Sequence, residues 1–520
     1  MPDAPRWPAA RGAGAHRRAW APLLALLLGV LWVAGYDTVL DRYRFPYFGD
    51  AASYIEMAES LRATGQPTVS PWALEHPDAD AVPQPLFPPG LPVLIAALTP
   101  LAGDARTAAA WPSRIAAALL PLLILVLFRG LAPDAALLGV GLWVLLSPGV
   151  VTWHPAAYSD VVCLAFAIVA LGALLRADGR DGRWLAAAGF AAACAYTIRN
   201  AALAVLAASF AALAYEWLRT GAREWRPLVA WGAGAAGPLA ALAAYNLATF
   251  GALQPYVMPP SIRPWTVNLT DWVRAQLQDL HVPQALAGSL PPAAAGAVVL
   301  LALAAGAWAW WRTRADARVH RIVTVLGGYA AAGGALLVIS RSRYEWADTI
   351  EVRHTLQYSW ALAVLVLLAA GSLTVRTRRV LAAGAVAVLA AAVFTAIADL
   401  RDVRAKGREA WHLIGHDAGV AAALRALPPE TFVASNASVL FRIASGRSVR
   451  LREFGGGDAE FAAALYDVRA VAGERPSAYV LWCHEWTARA SACQPVARDA
   501  GPRCRRLRGP PQIVALCATE

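Results

Sequence analysis

Residues 160–176 read DVVCLAFAIVALGALLR, an acid and an arginine enclosing an unbroken apolar run. At about 1.5 Å of helix rise per residue such a run is roughly 25 Å long, close to the ~30 Å hydrocarbon core of a bilayer. A surface helix of a globular protein would keep one polar face, and this stretch has none. Ten further apolar stretches recur, near 19–36, 111–128, 134–151, 184–198, 201–218, 227–248, 292–311, 322–340, 355–375 and 380–399, making eleven candidate spans. The 520 residues are 58% hydrophobic and 16% charged, with 21 tryptophans and a mean hydropathy of +0.46. Soluble domains run near a quarter charged, so disorder and an ordinary cytosolic enzyme are both excluded. The net charge is +11, but the basic residues sit in short clusters between apolar runs. A nucleic-acid binder would gather them on one face or tail. The expected fold class is an all-α polytopic membrane protein.

Arginine placement orients the spans. With eleven spans and a cytoplasmic N-terminus, the inner segments hold 18 arginines in 53 residues and the outer loops 10 in 140. That asymmetry is the positive-inside pattern. A further apolar run, Leu86–Leu101, is short and holds Pro88, Pro89, Pro92 and Pro100. Counting it as a span would put the later arginine clusters outside, so it is expected to be interfacial or re-entrant. Arg11, Arg17 and Arg18 resemble a signal-peptide n-region, but no small-residue cleavage site stands out after the first run, which reads as a retained anchor. The expected layout is a cytoplasmic 1–18, a membrane domain over 19–400 with interfacial helices in the outer loop 36–110, and an extracytoplasmic domain over 401–520. Lys406 is the only lysine beside 45 arginines, a composition that suggests a GC-rich bacterial genome and hence a bacterial cytoplasmic (inner) membrane.

In the tail, charge rises and apolar runs shorten. The pattern predicts helices over 409–426 and 457–468 and strands over 431–436, 448–453, 478–483 and 512–517, a small α/β domain. Cys483, Cys493, Cys504 and Cys517 all fall there, and four cysteines in a short extracytoplasmic domain suggest two disulfides with three possible pairings. A zinc site is the weaker alternative, since no Cys-x-x-Cys pair is present.

Ionisable groups near the hydrocarbon are costly, so each needs a reason. Asp50 follows the first span in Phe48-Gly49-Asp50-Ala51-Ala52-Ser53-Tyr54, and Tyr54, Met57, Ala58 and Leu61 fall on one face of an interfacial helix. Asp50 suits either a helix cap or a surface carboxylate that takes a proton from an attacking hydroxyl. Tyr158-Ser159-Asp160 opens the fourth span, where capping alone accounts for Asp160. Arg199 stands at a break between two apolar runs with no loop, and its guanidinium needs an anion, either a protein carboxylate or a phosphate. Arg353 and His354 open the tenth span, and a snorkelling anchor is the plain account of Arg353. Asn268-Leu269-Thr270 and Asn436-Ala437-Ser438 match the glycosylation tripeptide.

These motifs, in this order, resemble the GT-C membrane glycosyltransferases, in particular the branch of dolichyl-phosphate-mannose protein mannosyltransferases and the bacterial aminoarabinose transferase. The resemblance rests on Gly49-Asp50-Ala51-Ala52-Ser53-Tyr54-Ile55, Phe87-Pro88-Pro89-Gly90-Leu91-Pro92, Ser147-Pro148 with Tyr158-Ser159-Asp160, and Gly189 through Arg199. Asn246 with Phe250-Gly251, Arg353-His354, and Ser445-Gly446-Arg447 in the tail complete it. Two departures stand out: the family's Asp-Glu pair is here Asp50-Ala51, and His354 takes a tyrosine's place. The resemblance implies a GT-C-like fold and inverting transfer of a sugar from a polyprenyl-phosphate donor to an acceptor hydroxyl on the outer membrane face. It implies Asp50 as general base, Arg199 and Arg353 on the donor phosphate, His354 on the phosphate or the acceptor, and Tyr54, Tyr158 and Asp160 in substrate binding. No cofactor is certain, and a divalent metal is left open. The implied partners are the lipid-linked donor, a lipid, polysaccharide or protein acceptor, and membrane lipids, with no nucleic acid. Two rivals of other classes are a transporter or flippase of lipid-linked sugars and a non-catalytic envelope scaffold. The first would be expected to show inverted repeats and mid-span charges, and neither is visible.

Overall fold

The computed structural model describes residues 15–40, 50–70, 74, 81–177, 181–220, 224–255, 258–344, 350–371, 389–401, 404, 417–452, 458–483, 504–508 and 513–519. It divides into two units. The first comprises 1–39, 113–154 and 159–400, and the second comprises 40–112, 155–158 and 401–520. Residues of the long outer segment therefore group with the tail rather than with the apolar helices.

In chain order the helices are α1 (Ala15–Leu40), α2 (Asp50–Thr64), α3 (Gly90–Ala102), α4 (Ala105–Ala108), α5 (Trp111–Leu127), α6 (Asp134–Leu145), α7 (Pro148–Trp153), α8 (Ser159–Arg176) and α9 (Gly182–Ile198). There follow α10 (Leu203–Thr220), α11 (Arg226–Phe250), α12 (Trp265–Asp279), α13 (Gln284–Gly288), α14 (Pro292–Arg312), α15 (Ala317–Ile322), α16 (Gly328–Arg343) and α17 (Val352–Gly371). A π-helical turn at Val323–Gly327 joins α15 to α16, and residues 389–401 are helical.

Among the described residues seven helices are long and apolar enough to cross a membrane. Four of the eleven expected spans are not among them: two differ for visible reasons, and the other two, 355–375 and 380–399, lie partly outside the described residues. The 134–151 run is two helices, because Pro148 has no N–H to continue α6 and Ser147 starts a new helix by accepting from the Val150 N–H at 3.4 Å. The 184–198 span is realised as α9, only 17 residues long. The proline-rich 86–101 run forms α3, whose 13 residues reach only about 20 Å, too short to cross.

In the first unit nearly all of α8 is buried, as befits a central helix with apolar residues all round. Helices α9 and α11 approach closely through small residues. A Cβ on Gly189 would run into the Trp231 carbonyl, and one on Gly234 into the Ala186 carbonyl. Small residues at such crossings let backbones approach where lipid offers no hydrophobic drive. The polar helix α12, inside the 249–290 segment, was not anticipated, because a hydropathy reading passes over it.

The second unit contains α2–α4, a short antiparallel pair β1 (Thr68–Val69) and β2 (Val82–Pro83), and the tail domain. The tail holds a mixed sheet built from β3 (Phe432–Ser435), β4 (Arg450–Leu451), β5 (Ser477–Cys483), β6 (Cys504–Arg508) and β7 (Ile513–Ala518) in the order β4-β3-β5-β7-β6. Strand β3 runs parallel to β4 and β5, and β7 antiparallel to β5 and β6. The helices α18 (Ala418–Arg425), α19 (Ser438–Ser445) and α20 (Asp458–Ala472) accompany it. The expected α/β character holds, while α19 and the arginine-bearing β6 are additions. The first part of the 409–426 helix lies outside the described residues. Cys504 pairs with Cys517 across neighbouring strands, whereas Cys493 and the side chain of Cys483 lie outside the described residues.

Replacing Gly189 with valine is expected to destabilise the helix pair by about 1–3 kcal/mol. Thermal unfolding in detergent checks this: an unchanged midpoint would contradict the close approach.

Candidate active site

In the second unit, Asp50 is the first residue of α2, where the helix dipole favours a carboxylate. Tyr54, one turn on, is 2% exposed and packs its ring against Phe87 with centroids 5.1 Å apart. Two stretches singled out in the sequence, 49–55 and 87–92, therefore meet. Tyr158 is buried in the same unit. Along α2, burial extends over Ala51–Ile55, Met57 and Ala58, more than the expected stripe.

In the first unit, Arg199 has an extended backbone between α9 and a 3-10 turn at Asn200–Ala202. Its Nη1 lies 3.1 Å from Asp160 Oδ1 and donates to Ser159 Oγ at 3.1 Å. Asp160 is fully buried, so the expectation that it only caps α8 is corrected. It is the second residue of the helix and the carboxylate partner of Arg199. Of the two anions open to Arg199, a protein carboxylate is in place.

Arg353 stacks on Trp153, with its guanidinium carbon 5.1 Å from the ring centre, and its Nε lies 3.7 Å from Glu351. Its side chain is 12% exposed, so it is a packed residue rather than a freely snorkelling anchor. His354 is buried against Arg341, with Nε2 2.9 Å from Arg341 Nη2, while its Nδ1 faces the Glu351 N–H at 3.0 Å. A neutral imidazole has one lone pair to offer, so these two donors compete for it. Arg341 was missed in the sequence, where it reads as an ordinary helix-end cation. Trp153 and Ser159 are six residues apart, at most about 21 Å of chain, so Arg353 and Arg199 occupy the same end of this unit.

A second buried polar cluster stands beside these residues. Asp279, the last residue of α12, accepts from Thr355 Oγ1 at 2.8 Å and Ser359 Oγ at 3.0 Å. Gln276 donates to Ser359 at 2.7 Å. Gly149 at the start of α7 lies against this carboxylate, and a Cβ there would sit 3.2 Å from Asp279 Oδ1. Burial pushes the Asp279 carboxyl up to about 7, against the lowering effect of its hydrogen bonds to Thr355, Ser359 and Gly149. His281 follows at a positive φ of 62°, a conformation that terminates α12. Its ring packs on Trp143 with centroids 5.4 Å apart, and Nδ1 lies 3.0 Å from Thr395 Oγ1. Burial holds its imidazole down at about 4. The sequence carried no signal for this cluster beyond a lone acid and a lone histidine in a polar loop.

In the tail, Ser445-Gly446-Arg447 is a structural turn. Gly446 ends α19 at φ 73°, and the Arg447 guanidinium gathers the carbonyls of Leu424, Leu427 and Pro428. Both glycosylation tripeptides place their asparagine in internal bonds, Asn268 to Ser342 and Asn436 to Trp482. Among the described residues no three His, Cys, Asp or Glu side chains group to hold a metal.

Residues 87–244 match the family model of the dolichyl-phosphate-mannose-protein mannosyltransferases. The structure resembles ArnT from Cupriavidus metallidurans bound to undecaprenyl phosphate, with a TM-score of 0.60 at 13% identity over 96% of this chain and 98% of that one. The fold is that of the GT-C glycosyltransferases. The Archaeoglobus fulgidus oligosaccharyltransferase tethered with an acceptor peptide is also similar, with a TM-score of 0.51 at 13% identity over 89% of this chain and 69% of that one. No curated protein matches in sequence. The GT-C resemblance read from the motifs is thus borne out, the matches support a glycosyltransferase, and the chain is a multi-pass membrane protein.

Folding raises the Asp279 pKa, so the folded chain keeps a proton that the unfolded chain releases near pH 4. Its contribution to stability is therefore greatest below that pH and is lost as pH rises through about 7. Asp279→Asn, whose amide can be met by the two hydroxyls reversing, is expected to raise the unfolding midpoint by about 2–5 °C at pH 8 and by less at pH 5.5. An equal shift at both pH values would contradict the assignment.

Proposed function

We propose that this chain transfers a sugar from a polyprenyl-phosphate donor to an acceptor hydroxyl at the extracytoplasmic face of a bacterial cytoplasmic membrane, inverting the anomeric carbon. The observation that carries the reading is the conjunction of a GT-C fold with Arg199 and Arg353 at one end of the helical unit. ArnT, which shares the fold, is bound to undecaprenyl phosphate.

In this reading the acceptor is a lipid, polysaccharide or protein hydroxyl, and Asp50 takes its proton as the oxygen attacks the anomeric carbon. The bond from that carbon to the phosphate oxygen breaks, and polyprenyl phosphate leaves with one more negative charge. Arg199 and Arg353 meet that charge, an electrostatic role strongest where water is excluded. Asp160 holds Arg199 in register through the ion pair. His354 acts on Arg341 rather than on the phosphate directly, and Tyr54 and Tyr158 shape the approach of the acceptor.

Asp50→Asn is expected to reduce transfer by roughly 10²–10⁴, the usual worth of a general base. Mass spectrometry of envelope glycans in a deletion strain, complemented with wild type or variant at equal membrane levels, checks this. Loss of one sugar restored only by wild type, with the lipid-linked sugar accumulating, is the expected result. Full restoration by Asp50→Asn would make Asp50 a helix cap and set the reading aside.

A further inference from the structure

Glu56 lies in the middle of α2, six residues after Asp50, and its carboxylate is drawn inward. Its Oε2 accepts from the Ser70 N–H at 3.0 Å. The same carboxylate meets Arg442 of the tail domain, with Nη1 3.3 Å from Oε2 and Nε 3.3 Å from Oε1. Arg442 Nη1 also donates to the Ser70 carbonyl at 2.9 Å. The three residues form a closed triad joining chain segments 386 residues apart, all within the second unit.

Arg442 is 3% exposed, and among the described residues its buried Nη2 has no hydrogen-bond partner. Burying a guanidinium with an unsatisfied nitrogen is expensive, and an apolar pair of similar volume would be the easier way to pack α2. The arginine is rigidly presented. Its neighbour Phe441 is fully buried in the core beneath the sheet. Asn436 bonds to both the N–H and the carbonyl of Trp482, anchoring the start of α19 to β5. Two further polar ties of α2 lie nearer solvent. Arg106 meets Glu59 at 3.6 Å with both side chains two-fifths or more exposed, and Ser60 bonds Thr68.

We propose that Arg442 is a positioning residue: by clamping Glu56 it lets the tail domain set the placement of α2, and with it the placement of Asp50. This rests on the transferase reading above, in which Asp50 takes the acceptor proton. The clamp would make the tail domain part of the catalytic apparatus even though Arg442 touches no substrate.

The test uses the full-length protein. Arg442→Met leaves Glu56 buried and unpaired, Arg442→Lys keeps the charge, and Glu56→Gln with Arg442→Met removes both charges. Hydrogen exchange of residues 50–64 in detergent reports the clamp independently of activity. Arg442→Met is expected to speed it about tenfold or more, with residues 159–176 unchanged. Sugar restored in the complemented deletion strain is expected to fall about tenfold or more, and to recover in part with lysine and with the double variant.

A pH signature separates positioning from simple loss of packing. The charged groups facing Glu56 are Arg442, Glu59 on its own helix and Arg106 on α4. Burial already pushes the Glu56 carboxyl up, with Arg442 pulling it down. Without the arginine the carboxyl is pushed up further, so Glu56 takes a proton more readily than in wild type as the pH falls. The deficit of Arg442→Met relative to wild type in membrane vesicles is therefore expected to shrink as the pH is lowered. Unchanged exchange in Arg442→Met overturns the clamp. Faster exchange with full sugar restoration, or a deficit independent of pH, overturns the positioning role. Full restoration by Asp50→Asn while exchange still responds to Arg442→Met would instead sink the transferase reading and leave the clamp standing.

Discussion

A carboxylate with no exposure to solvent, Asp160, faces the one arginine set into the break between α9 and α10. Removing either partner of such a buried pair strands the other charge, typically at about 3–5 kcal/mol. The pair sits where the chain leaves its helix at Arg199, whose backbone is extended, and resumes through a single 3-10 turn. Because α8 is buried along nearly its whole length, fixing its first turn fixes the frame against which the neighbouring helices pack.

The same end of this unit concentrates further polar groups. Asp279 is held by two hydroxyls of α17, His354 by Arg341, and Arg353 by the face of Trp153. Each would be expensive within apolar surroundings unless satisfied internally, and each is tied to a residue from another helix. An array of this kind suits electrostatic work, since its dipoles and charges are oriented before any substrate arrives.

Much of this was legible in the sequence, for identifiable reasons. Apolar runs such as 160–176 leave a helix no alternative in a bilayer, and the arginine count spoke against a crossing by 86–101, where the structure has the 13-residue α3. The need of Arg199 for an anion was readable from its place at a break, though its partner was not assigned. What hydropathy could not show is polar by composition or distant in sequence. Helix α12 is hidden because its buried residues include Asn268, Thr270, Gln276 and Asp279. Strand β6 carries Arg505, Arg506 and Arg508 beside a disulfide cysteine and reads as a charged loop. Glu56 has every appearance of a solvated helix face until a residue 386 positions away arrives to meet it. Ser147-Pro148 is where α6 gives way to α7.

On the proposed reading, the arginines at the end of the helical unit receive the phosphate of a polyprenyl lipid. The most direct measurement is native mass spectrometry of the purified full-length protein, delipidated and offered polyprenyl phosphate beside an excess of phosphatidylglycerol. One polyprenyl phosphate retained per chain is expected, lost when Arg199 and Arg353 are both replaced by glutamine in a variant that still folds. Retention unaffected by the two replacements, or no preference over phosphatidylglycerol in the wild type, would contradict it.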